Sequence, residues 1–162
     1  MEKVIHEFGP VFDENSKVLV LGTIPSPKSR ELGFYYCHPQ NRFWRVMAAL
    51  FQDRFPDSVP QKREFALRHQ IALWDVLAEC VIKGASDSSI REEIPNDLDI
   101  ILKAAPIQAI FTTGKKAEAL YRKYCLKYTE IESVCLPSTS PANCACSFDK
   151  LLEAYKQILT FY

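Results

Sequence analysis

Val18-Leu19-Val20-Leu21-Gly22-Thr23-Ile24-Pro25-Ser26 decides the fold. A short β-branched and leucine run, closed abruptly by glycine and proline, reads as a strand in the centre of a sheet. A continuous apolar run is the mark of a strand buried on both faces, as in parallel sheets, and α/β proteins place their ligands beyond the carboxyl ends of such strands. Function is therefore sought in what this strand delivers. After a charged loop comes Gly33-Phe34-Tyr35-Tyr36-Cys37-His38-Pro39-Gln40-Asn41-Arg42-Phe43-Trp44, which packs aromatic rings, a histidine and an amide into twelve residues.

Working outward, Ile71-Ala72-Leu73-Trp74 ending in Asp75, Ile107 to Thr112 closed by Gly114, and Ile131 to Cys135 read as three further strands. Between them the apolar period becomes helical. Phe43, Val46, Met47, Leu50 and Phe51 share one face, a short helical stretch surrounds Glu64 to His69, and Asn96-Asp97 opens a helix that buries Leu98, Ile101 and Leu102. The helix after Gly114 is expected to bury Ala117, Leu120, Tyr121, Tyr124 and Tyr128, and the final one Phe148, Leu151, Leu152, Tyr155, Ile158, Leu159 and Tyr162. Lys83 to Ser89 reads as a turn-rich, solvent-facing loop. Strands alternating with helices imply an α/β three-layer sandwich, with a central, mostly parallel sheet of about four strands flanked by helices, so the loops after Leu21, Trp74, Thr112 and Cys135 emerge at one edge.

Residues 1–162 are long enough for one domain with a substantial core, burying roughly 68–70% of the surface of the unfolded chain. No apolar run approaches the length of a membrane span, and Met1-Glu2-Lys3-Val4 has none of the pattern of a signal peptide. A cytoplasmic protein is expected, at the nucleoid if the source is bacterial or archaeal. The six cysteines are then free thiols, and with three scattered histidines and no matched partner for Cys144-Ala145-Cys146, no metal site is expected. Twenty basic and twenty acidic residues cancel, which excludes strong, non-specific polyanion binding by bulk charge. Only local clustering, for example of Lys28, Arg30, Arg42 and Arg45 with the lysines after Gly114, would attract a nucleic acid.

At the converging loops each residue carries two readings. Asn41 offers an amide to a planar heterocycle, or caps the helix that follows it. Tyr35, Tyr36, Phe43 and Trp44 supply stacking surfaces or core filling, and His38 before Pro39 either lines the site or bonds backbone in a tight turn. Asp75 accepts from a ring N–H or caps the next segment. Ser138, Thr139 and Ser140, between Pro137 and Pro141, form a stiff hydroxyl-rich loop suited to phosphates or to an ordinary turn.

Three ordered motifs carry a family likeness: Gly22-Thr23-Ile24-Pro25-Ser26, Tyr35-Tyr36-Cys37-His38-Pro39-Gln40-Asn41-Arg42-Phe43-Trp44 and Leu136-Pro137-Ser138-Thr139-Ser140-Pro141-Ala142-Asn143. Together they resemble the uracil-DNA glycosylase superfamily, and within it the hypoxanthine-DNA (deoxyinosine) glycosylase branch. The resemblance implies a monomeric, monofunctional enzyme of base-excision repair that acts on DNA containing deaminated bases. Such an enzyme flips the nucleotide out of the duplex and hydrolyses its glycosidic bond without a metal or cofactor. It assigns Asn41 the catalytic part, Gly22, Thr23, Tyr36 and Asp75 the contacts to the base, with Tyr36 stacking, and Ser26, Ser138, Thr139 and Ser140 the DNA backbone. Mismatch-specific relatives read Gly-Ile-Asn-Pro-Gly after the first strand, with an asparagine that places water. Ile24 stands there in this chain, which argues against efficient uracil excision. In the last loop Leu136 stands where a His or Asn is usual, and Ser140 where a leucine wedge is usual. Excision of uracil or xanthine by the same fold, nucleic-acid binding without catalysis, and a small-molecule nucleosidase acting on free inosine are the competing expectations.

Overall fold

A computed structural model describes residues 1–162. The apolar run forms β2 (Val18–Gly22), every residue of which is buried. It pairs in parallel with β3 (Ile71–Asp75) on one side and β6 (Ala109–Thr113) on the other, and β6 pairs in parallel with β7 (Ser133–Leu136). The four-stranded sheet has the order β3-β2-β6-β7 and is parallel throughout. In this register Gly22 lies beside Asp75, and Thr113 beside Leu136, so the four connections do leave one edge, although the one expected as a loop after Trp74 continues through Val76 into another strand. Val11, 1% exposed, bridges to Leu73 and covers the free backbone edge of β3.

Helices flank this sheet: α1 (Pro27–Leu32), α2 (Phe43–Leu50), α3 (Val59–Arg68), α4 (Asp99–Leu102), α5 (Lys115–Tyr124), α6 (Leu126–Thr129) and α7 (Phe148–Tyr155). α2 buries Phe43, Trp44, Val46, Met47, Ala48 and Leu50, the face its period marked. Three expectations are revised. The charged loop after Ser26 contains α1, capped by the Ser26 hydroxyl, which accepts from Ser29 N–H, and closed by Gly33 at φ 74°. The final helix gives way after Tyr155 to a 3₁₀ segment, Lys156–Phe161, whose tighter turn leaves Leu159 and Tyr162 exposed rather than buried. Tyr128 is 39% exposed rather than buried, because α6 starts a new turn at Leu126 and Glu130 stops it in the left-handed region.

A second sheet was not visible in the sequence. β1 (Glu2–Ile5), β4 (Leu77–Lys83) and β5 (Ser86–Pro95) form an antiparallel ribbon in the order β1-β4-β5. Lys83 to Ser89 is therefore a hairpin, with Lys83 opposite Ser86 and Gly84 at φ 58° making the turn. Its strands are rich in serine and charge because one face is wet, while Val4, Leu77, Cys80, Ile82 and Ile90 bury the other. β3 runs into β4 through Val76 alone, and Val76 N–H and Leu77 N–H donate to the carbonyls of Gly22 and Thr23. Asp75 consequently stands where the two sheets meet. All six cysteines are unpaired, and no helix is long and apolar enough to cross a membrane.

Candidate active site

A cavity of about 1610 Å³ opens along the carboxyl edge of the parallel sheet. It is lined by residues 22–29 after β2, by Tyr36, His38 and Asn41, by Asp75, by 113–116 after β6 and by 135–143 after β7. The hairpin tip, Gly84 to Asp87, adds one wall. Lys28, Lys115, Lys116 and Lys150 line it against Glu31, Asp75 and Asp87, so the local charge bias is slight. Arg30 and Arg42 serve the fold instead: Arg30 bonds Pro25 O and Glu2, and Arg42 donates to the carbonyls of Asn143 and Cys146.

Asn41 bonds the start of the helix that follows it and lines the cavity. Its Oδ1 accepts Phe43 N–H at 2.9 Å, which starts α2, and also the Thr139 hydroxyl at 2.8 Å. A backbone N–H only donates, so the atom facing it is the amide oxygen. Both lone pairs of Oδ1 are thereby occupied, and what remains for the cavity is the Nδ2 group, a pure donor. Thr139, expected beside phosphates, is 1% exposed with its hydroxyl committed to Asn41. The loop is turned that way because Arg42 N–H donates to Thr139 O, and Asn143 Nδ2 and Tyr155 OH donate to Ser138 O and Pro137 O.

Tyr36 adopts φ 54°, a left-handed conformation that a bulky residue takes only when its surroundings impose it. One face of its ring lies on Phe43, with centroids 4.0 Å apart and 17° between planes, and its hydroxyl reaches Thr113 Oγ1 at 3.3 Å. Burial, reinforced by the Asp75 charge, holds that hydroxyl above its ordinary pKa, so it stays a neutral phenol. Tyr35, Phe43 and Trp44 are core: each is at most 3% exposed, and Trp44 Nε1 donates to Tyr35 O. His38 accepts Gln40 N–H on Nδ1, the tight-turn reading.

Asp75 is 4% exposed. Its carboxylate occupies the space left by Gly22, where a Cβ would stand 2.4 Å from Oδ1 and 3.3 Å from Tyr36 OH. Oδ2 is bonded to Nε2 of His6 at 2.8 Å, a partner 69 residues away that the sequence did not mark. Thr23 is buried and Ile24 half-buried at the same edge, so an apolar side chain stands beside the first strand's end. Ser138 and Ser140 are half-buried, and each Oγ accepts a loop N–H, from Ser140 and Ala142 respectively. Their hydroxyl hydrogens, like that of Ser26, remain to be donated.

A buried parallel sheet with a donor, an acceptor, a ring and a hydroxyl loop around one cleft defines an α/β protein whose cleft, beyond the strand ends, has the groups suited to a planar, polar-edged ligand. The chain belongs to the uracil DNA glycosylase superfamily, which it matches over residues 10–159. It is 34% identical over 138 residues to the hypoxanthine DNA glycosylase of Methanosarcina acetivorans, an alignment covering 84% of this chain and 86% of that one. It is 36% identical over 112 residues to the hypoxanthine DNA glycosylase of Methanosarcina barkeri, covering 68% and 71%. The solution NMR structure of a candidate uracil DNA glycosylase from M. acetivorans superimposes with a TM-score of 0.76 at 31% identity, covering 94% of this chain and 96% of that chain.

Proposed function

We propose that this protein is a monofunctional hypoxanthine-DNA glycosylase, acting as a monomer on deaminated bases in cytoplasmic, nucleoid DNA. The observation that carries this reading is the amide of Asn41, its oxygen filled and its Nδ2 left to donate, on the cavity that the Tyr36 ring also lines. The flipped base stacks on the free side of Tyr36, whose other side Phe43 supports. As the glycosidic bond breaks, electrons flow into the purine and negative charge develops on its ring nitrogens and carbonyl. A preset N–H donor in a water-poor cleft stabilises that charge without a reorganisation step. Because Asn41 Oδ1 is saturated by Phe43 N–H and Thr139, Asn41 serves the leaving base and does not accept a proton from water. Ser26, Ser138 and Ser140 donate to phosphates flanking the lesion, and those phosphates stabilise the sugar cation. Gly22 and Thr23 border the base, Gly22 by leaving room for the Asp75 carboxylate, which accepts from the base edge.

Matched duplexes carrying one deoxyinosine, deoxyuridine or deoxyxanthosine, with free base quantified in single turnover, test this. Hypoxanthine is expected to be released fastest. Uracil release alone would place the chain in another branch of the superfamily, and lesion binding without base release would make it a reader of damage. Binding is expected to weaken as salt rises, and activity on free inosine would contradict a DNA substrate.

A further inference from the structure

The second half of the Asp75 pair has been given no part so far. The side chains of His6 and Asp75 are 2% and 5% exposed. His6 arrives from the residue after β1, its N–H held by Ala78 O, and its ring packs against Phe8 at 4.7 Å and Tyr35 at 5.8 Å. Its Nδ1 is buried and has no hydrogen-bond partner. A hydrogen on Nδ1 would be a buried, unmet donor, so the geometry favours a hydrogen on Nε2. Nε2–H then donates to Asp75 Oδ2, and a donating imidazole requires an accepting carboxylate. Asp75 Oδ1 is bonded by nothing in the protein, and Asp75 lines the cavity.

We propose that His6 is a positioning residue, which holds the Asp75 carboxylate as a fixed hydrogen-bond acceptor for the ring N–H that deamination creates. This rests on the glycosylase reading above. Deamination replaces an exocyclic amino group by a carbonyl and converts the neighbouring ring nitrogen from a lone-pair acceptor to an N–H donor. N1 of adenine becomes N1–H of hypoxanthine, and N3 of cytosine becomes N3–H of uracil. A carboxylate that only accepts attracts the ring N–H and repels the lone pair. Asp75 therefore senses the ring nitrogen whose polarity these two deaminations invert, and Asn41 Nδ2 supplies a donor for the carbonyl that replaces the amino group. Without His6 the carboxylate would lose the partner that fixes its aim. Gly22 completes the arrangement, since any side chain there would occupy the position of Oδ1.

The test compares His6→Leu, His6→Gln, Asp75→Ala and the His6→Leu/Asp75→Ala double variant in single-turnover excision, with circular dichroism and thermal unfolding as the check of fold. His6→Leu is expected to slow hypoxanthine release by about 10- to 100-fold, the worth of a hydrogen bond to a charged group. Duplex affinity should stay within about twofold, because the loss falls on the chemical step. Glutamine presents an N–H near the Nε2 position and should restore most of the rate, whereas a merely structural histidine would not be rescued. In the Asp75→Ala background, His6→Leu should change little. Imidazole nitrogen NMR of the wild-type enzyme without DNA should show the Nε2–H tautomer at His6. A wild-type rate in folded His6→Leu, an equal loss in the Asp75→Ala background, or a hydrogen on Nδ1 would each overturn the proposal. A wild-type enzyme that releases no hypoxanthine would overturn the glycosylase reading itself, a failure visible before any variant is made.

Discussion

The two polar corners of the cavity are built in opposite ways. The Asn41 corner is a neutral amide whose acceptor is filled and whose donor is free. The Asp75 corner is a carboxylate with one oxygen filled by His6 and the other open. One corner gives hydrogen bonds and the other takes them, and a lactam edge, a carbonyl beside an N–H, needs both. A single polar group would bind many heterocycles, whereas a fixed donor and a fixed acceptor reject a base whose edge is inverted, because its polar atoms would be left unpaired.

If the donor corner carries the chemistry, Asn41→Ala gives the largest loss, about 10²- to 10³-fold in single-turnover release, the usual cost of deleting one preset donor. Gly22→Ala strikes the acceptor corner, since its Cβ would stand 2.4 Å from Asp75 Oδ1. Displacing the carboxylate by about 1 Å should cost about 100-fold in rate. Thr139→Val leaves Asn41 Oδ1 with only Phe43 N–H, and a loss of about tenfold is expected, with Thr139→Ser close to wild type. If the corners act independently, Thr139→Val and His6→Leu should multiply; a sub-multiplicative pair would show them to be one network. Tyr36→Phe removes only the bond to Thr113, and a change of about threefold or less is expected. Since burial keeps the Tyr36 hydroxyl above its ordinary value, it does not ionise where a free tyrosine would, and its stabilising neutral form is lost only in stronger alkali. The rate profiles of wild type and Tyr36→Phe should therefore run parallel between about pH 8 and about pH 10.

The corners also differ in how far they could be read from the chain. Asn41, Tyr36 and Phe43 lie in one short segment beside a strand end, and local pattern is enough to bring them together. The parallel sheet was legible for the same reason: Val18–Leu21 and Ile71–Trp74 are apolar runs bounded by turn residues. The ribbon of β1, β4 and β5 was not, because Ser86 to Pro95 is mostly exposed and polar, and its pairing partner rather than its composition makes it a strand. His6 follows the first strand of that ribbon, so missing the ribbon meant missing the residue against Asp75. Thr139 was placed on the wrong side of its loop for a related reason. A Ser-Thr-Ser run between prolines looks uniformly solvated, and only the tertiary bonds from Arg42, Asn143 and Tyr155 turn its middle hydroxyl inward.

The most direct test of the donor claim is Asn41→Asp in single-turnover release of hypoxanthine from a deoxyinosine duplex. Aspartate keeps an oxygen for Phe43 N–H and the Thr139 hydroxyl, and so preserves the start of α2, but replaces Nδ2 by a second acceptor. If Asn41 acts by donating to the departing base, the variant folds and binds but releases hypoxanthine at least about 100-fold more slowly. A folded variant that keeps the wild-type rate, or exceeds it, would show that this side chain accepts from the attacking water and that the assignment made for it is wrong.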